Sequence, residues 1–94
     1  MRCTTLDEVR ENIDRIDNSI IKLIAERQQY VVQAASFKKN TQEVKAQNRV
    51  DAVINKSRKK AEQYGANPDI VANIYREMIN NFINLETTKF QNKA

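Results

Sequence analysis

A chain of 94 residues is enough for one domain, and at that size burial against another chain would add materially to its stability. One Gly, one Pro, no Trp and 30% charged residues leave too little punctuation for strands and tight turns, so the composition is that of an all-α protein. Sixteen Lys and Arg against twelve Asp and Glu give a formal charge of +4, which admits an anionic partner without naming one. The single Cys3 cannot pair internally and suits a reducing, cytoplasmic setting. No apolar run nears the roughly 18 residues of a membrane span, and the N-terminus lacks a signal-peptide core, so no membrane partner is expected.

In chain order, Thr5 and Glu8 form a capping box, and an apolar period starts at once. Leu6, Val9, Ile13, Ile16, Ile20, Leu23, Arg27, Tyr30, Ala34 and Phe37 follow in steps of three and four. This stripe of about nine turns predicts a first helix over about 6–39, on the order of 50 Å long. Residues 40–45 are polar and aperiodic, which marks a connection. Val50, Val53, Ile54, Ser57, Ala61 and Tyr64 then predict a second helix over about 47–64, closed by Gly65 at the C′ position. Asn67, Pro68 and Asp69 supply an N-cap, a first-turn Pro and a first-turn acid for a third helix over about 68–90. Its apolar residues are Val71, Ile74, Tyr75, Met78, Ile79, Phe82, Ile83 and Leu85. The first helix is longer than the other two can cover, so the expected assembly is a homodimer with the two long helices packed along each other.

Most of the charge has a structural reading. Asp7, Glu8, Glu11, Asp14 and Asp17 crowd the start of the first helix, where the helix dipole favours acids, and Arg58, Lys59 and Lys60 read as a solvated face. The basic runs are short and lack interleaved aromatics, which argues against nucleic acid as a partner. Two charges break apolar stripes instead. Arg27 occupies a seam position of the first helix, where a cation is costly unless an anion meets it. Glu86 extends Tyr75, Ile79 and Phe82, unless it turns outward to pair with Lys89. Lys38, eleven residues after Arg27, falls about 20° away on the same face and about 16 Å along. That spacing would let the two bracket one ligand, whereas Arg10 lies about 100° off that face and would not easily join them.

The runs Val9-Arg10-Glu11-Asn12-Ile13-Asp14-Arg15-Ile16-Asp17 and Leu23-Ile24-Ala25-Glu26-Arg27 resemble the all-helical chorismate mutase family. So do Ala34-Ala35-Ser36-Phe37-Lys38 and Asn48-Arg49-Val50, and the likeness covers nearly the whole chain. The family includes the isochorismate pyruvate lyases of salicylate biosynthesis. It implies three helices per chain in an intertwined homodimer, with two sites each built from both chains. By resemblance, Arg27 and Arg10 of the partner subunit hold the two carboxylates of a chorismate-like dicarboxylate. Lys38 reaches the ether oxygen, Arg49 adds positive charge, and Ala34, Val53, Ile79 and Ile83 line the pocket.

The residue types suit a pericyclic reaction, which calls for a compact substrate conformation and positive charge near the breaking C–O bond. No cofactor and no metal is expected for it. The chain departs from the family in three places. Glu86 stands where a typical mutase has a Gln that donates to the ether oxygen, and a carboxyl donates only when protonated. Apolar surroundings favour that protonated form, whereas Lys38 nearby favours the ionised one. Ala46 and Val50 replace an acidic pair near the ring hydroxyl, which looks more like the lyases, and Phe82 replaces a Ser. The implied activity is chorismate mutase, with isochorismate pyruvate lyase as the alternative and a non-catalytic helical dimer as the alternative of another class.

Overall fold

The computed structural model describes residues 2–37 and 47–91 of the chain, and among them the only regular structure is helical. Helix α1 spans Leu6–Ala35, α2 spans Gln47–Tyr64 and α3 spans Pro68–Gln91. The chain divides into two compact units, residues 1–30 and residues 31–94, with α1 running from the first into the second.

In the first unit, Thr5 Oγ1 accepts the Glu8 N–H at 3.1 Å, as an N-cap should. The reciprocal half of the box is shifted by one residue. Glu8 Oε2 accepts from the Thr4 N–H at 2.8 Å, so the chain is gripped a residue earlier than the motif implies. Asn12 adds a third tie, its Nδ2 donating to Glu8 O at 2.9 Å and to Cys3 Sγ at 3.5 Å. The apolar stripe is regular but uncovered, with Leu6 61% and Leu23 62% exposed, and Ile13, Ile16 and Ile20 close to half exposed.

In the second unit, α1 ends earlier than its period suggests. The N–H groups of Ser36 and Phe37 bond back three residues to Gln33 O and Ala34 O, at 3.1 and 3.0 Å, which tightens the chain into a turn. Ser36 Oγ also donates to Gln33 O, at 2.7 Å. Phe37, which continues the stripe on paper, is 83% exposed. Lys38 and residue 39 of the expected first helix fall outside the described residues, as does the connection over 40–45.

Helices α2 and α3 form an antiparallel hairpin through a three-residue link. Gly65 has φ of 79°, a conformation open to Gly without the strain a Cβ brings. Its N–H meets Glu62 O at 3.2 Å and the Ala66 N–H meets Ala61 O at 2.8 Å, the paired bonds of a Schellman ending. Asn67 Oδ1 then accepts from the N–H groups of Asp69 and Ile70, at 2.9 and 3.3 Å, and starts α3.

Ile54, Ala72 and Ile79 make the buried cluster, with Val50, Val53, Tyr75 and Ile83 packed against it. Near the link the contact is made by small residues, Ser57, Ala61 and the fully buried Ala72. Ser57 can be buried because its hydroxyl donates to Ile54 O at 2.7 Å. Arg58 Nη1 meets Asp69 Oδ1 at 2.7 Å, so one member of the basic run bridges the hairpin while Lys59 and Lys60 face solvent. No large side chain among the described residues is fully buried, which makes this a thin core.

Candidate functional site

The hairpin gathers four of the residues singled out above. Val50 and Val53 lie one turn apart on α2, Ile79 and Ile83 one turn apart on α3, and all four belong to one apolar cluster. Ile54, Ala72 and Tyr75 complete it. Alanine contributes little to a hydrophobic period, so Ala72 is invisible in the sequence pattern although it lets the helices approach closely.

The polar candidates of this unit flank the cluster. Arg49 is exposed in the first turn of α2. Glu86 is half-buried on α3, three residues after Ile83 and so near the same face. Thr87, next to it, has a buried Oγ1 with no hydrogen-bond partner among the described residues. A lone buried hydroxyl costs roughly 1–3 kcal/mol, so this end of α3 has polar capacity in hand. Phe82 and Ala34 are half-buried, Ala34 in the last turn of α1.

Two candidates belong to the first unit. Arg10 is exposed, and Arg27 is half-buried with its Nη1 out of contact with solvent. Both lie on the uninterrupted α1, seventeen residues and about 26 Å apart along the axis. A ligand the size of a cyclic dicarboxylate does not span that distance, so the two arginines of one chain cannot hold the same small molecule. Lys38 and Ala46 lie outside the described residues.

Among the described residues no group of three or more His, Cys, Asp or Glu is placed to hold a metal ion. None of their helices is long and apolar enough to cross a membrane.

The chain belongs to the chorismate mutase type II family, whose profile matches residues 9–87. It is similar to the isochorismate pyruvate lyase of Pseudomonas aeruginosa, with 33% identity over 81 residues, 86% of this chain and 80% of that protein.

Proposed function

We propose that this chain acts as an isochorismate pyruvate lyase, converting isochorismate to salicylate and pyruvate. The observation that carries the reading is its 33% identity, across most of both chains, to a protein of that name. The apolar character of Ala46 and Val50 supports it. Val50 packs into the apolar cluster and offers no charge to a ring hydroxyl, which suits a substrate carrying that hydroxyl on a different carbon from chorismate.

The reaction balances without water or oxidant. The C–O bond between ring and enolpyruvyl group breaks, a ring hydrogen moves to the enolpyruvyl methylene, and the ring becomes aromatic. Negative charge grows on the departing oxygen, and the residues serve that change. Arg27 and Arg10 of the partner subunit hold the two carboxylates, and Lys38 faces the ether oxygen. Arg49 adds positive potential. Ala34, Val50, Val53, Ile79 and Ile83 hold the ring, and Glu86 donates to the oxygen when protonated. A cation about 4 Å from that oxygen contributes up to roughly 4 kcal/mol per unit of charge at an effective dielectric near 20. Only part of a unit develops, so each donor gives less.

The assembly is a homodimer. The exposed stripe of α1 supports it, as does the length of helix that separates Arg10 from Arg27. Chorismate mutase activity, the rearrangement of chorismate to prephenate, is the second reading, favoured by the description of the matching family.

Purified protein incubated separately with isochorismate and chorismate separates these readings. Salicylate and pyruvate from isochorismate are expected. Prephenate from chorismate, with isochorismate untouched, makes the chain a mutase, and no product from either makes it a non-catalytic dimer. Site sharing has its own test. Inactive Arg10→Ala and Arg27→Ala chains refolded together should regain up to half the sites, and well-folded heterodimers without recovery exclude shared sites.

A further inference from the structure

The hairpin has a second flank whose polar residues none of these roles uses, although Val50 and Ile83, in the seam between the two helices, belong to both flanks. At 100° per residue around α2, Arg49 and Val53 lie at about 0° and 40°, with the buried Ile54, Ser57 and Ala61 between about 80° and 140°. Asp51, Asn55 and Arg58 lie between about 180° and 240°, on the side away from Arg49. There, together with Arg76 and Asn80 of α3, they rim a cavity of about 410 Å³ floored by Val50, Ile54 and Ile83. That volume falls within the range of small-molecule sites.

The rim is ordered along its length. In an antiparallel hairpin, Arg58 and Arg76 sit toward the link, Asn55 and Asn80 in the middle, and Asp51 toward the open end. Asp51 and Arg58 are seven residues apart, about 10 Å along α2. Arg58 is anchored by Asp69 at 2.7 Å and Arg76 Nη1 by Asn73 Oδ1 at 3.1 Å, so both guanidiniums are steadied by their own neighbours. Asp51 also has an interaction of its own within the chain. A guanidinium carries five donors and a carboxylate about four acceptor positions, so each end has capacity for a ligand beyond its existing partners.

We propose that this groove binds a rod-shaped small-molecule monocarboxylate. The carboxylate lies between Arg58 and Arg76, the apolar body covers Val50, Ile54 and Ile83, and a hydrogen-bond donor at the far end meets Asp51. A bare inorganic anion leaves the floor and Asp51 unused. The ammonium and carboxylate of an α-amino acid are bonded to one carbon, so that pair of charges alone does not reach both ends.

The test is a titration of the full-length ¹⁵N-labelled protein with 3-(4-hydroxyphenyl)propionate, followed by NMR. The Asn55 and Asn80 side-chain amides and Arg76 Nε should shift saturably, and 3-phenylpropionate should bind several-fold more weakly. Arg76→Gln, at an exposed position, should weaken binding about tenfold, the effect of losing one charge-assisted contact. Asp51→Ala should abolish the difference between the two acids. Arg27→Ala should leave the groove shifts intact, which separates this site from the one proposed for catalysis. Three results overturn the proposal: shifts lost in Arg27→Ala but kept in Arg76→Gln, the same shifts with inorganic phosphate, or groove amides that respond to dilution and not to the acid. The last would make the groove a surface between copies.

Discussion

Ile54 and Ile79 of the hairpin are each 7% exposed, whereas Ile16 and Ile20, on an equally regular stripe of α1, are each 47% exposed. The same residue type at the same helical period has therefore met two fates within one chain. A three-residue link places α2 beside α3 and lets each cover the other, so local contacts suffice there. Residues 6–30 have no such neighbour in sequence, and their stripe stays open to water. Apolar periodicity says that a face will be hidden when a partner exists, and it is silent on whether the partner lies in the same chain. The proposed dimer supplies that partner to α1, and the hairpin needs it less.

The largest expected effect tests that contrast directly. Ile13→Asp with Ile20→Asp places carboxylates on the α1 stripe, each costing several kcal/mol if buried in a dimer. Sedimentation should then show monomers and circular dichroism should show lost helix, while both are little changed if the stripe is solvated in the native protein. Next comes Arg27→Ala. A substrate carboxylate left without its cation should cost about 3 kcal/mol or more in transition-state binding, a hundredfold or more in kcat/KM, with the oligomeric state unchanged.

Ile79→Ala probes the self-sufficient region. Loss of a buried isoleucine side chain should destabilise the fold by about 2–4 kcal/mol in a denaturant titration, and a value below about 1 kcal/mol would mean that the hairpin core is not the firmer of the two regions. A smaller and pH-dependent effect is expected at Glu86. If its protonated carboxyl donates to the ether oxygen, the parent's rate falls as pH rises, and Glu86→Gln keeps a donor at every pH and flattens the fall. A parent fully active at pH 8 and unchanged by Glu86→Gln would remove Glu86 from the chemistry. The smallest effect belongs to Arg58→Met. Its ion pair with Asp69 is 39% and 80% exposed on the two sides, and such pairs contribute about 0.2–1 kcal/mol, an amount that added salt should erase.

Legibility followed the range of the interactions. The caps at Thr5 and Asn67 and the stop at Gly65 could be read because each depends on residues within a few positions of itself. The end of α1 could not. Ala34 and Phe37 keep the apolar period, and only the hydrogen bonds of Ser36 and Phe37 reveal the turn. Arg58 was hidden for the opposite reason. Its partner Asp69 is eleven residues away, across a link whose geometry the sequence pattern does not give. Of the proposed site, the apolar wall of Val50, Val53, Ile79 and Ile83 follows from two helical periods and one short link. In the proposed dimer the positions of Arg10 and Arg27 against a substrate depend on a second chain, and no pattern within one chain encodes that distance.

The link at 65–67 also acts as an indexing device. Asn67 fixes the first turn of α3 and Gly65 the last turn of α2, so the rotational phase between the helices is set within three residues. One residue inserted in the last turn of α2, with the link itself kept, would turn α3 by about 100° around the α2 axis. That single step would swing Ile79 and Ile83 off the wall, carry Glu86 to another bearing and misalign Arg76 with Arg58, although no side chain had been replaced. Chain length at this point is therefore as much a specification of the site as the residues that line it.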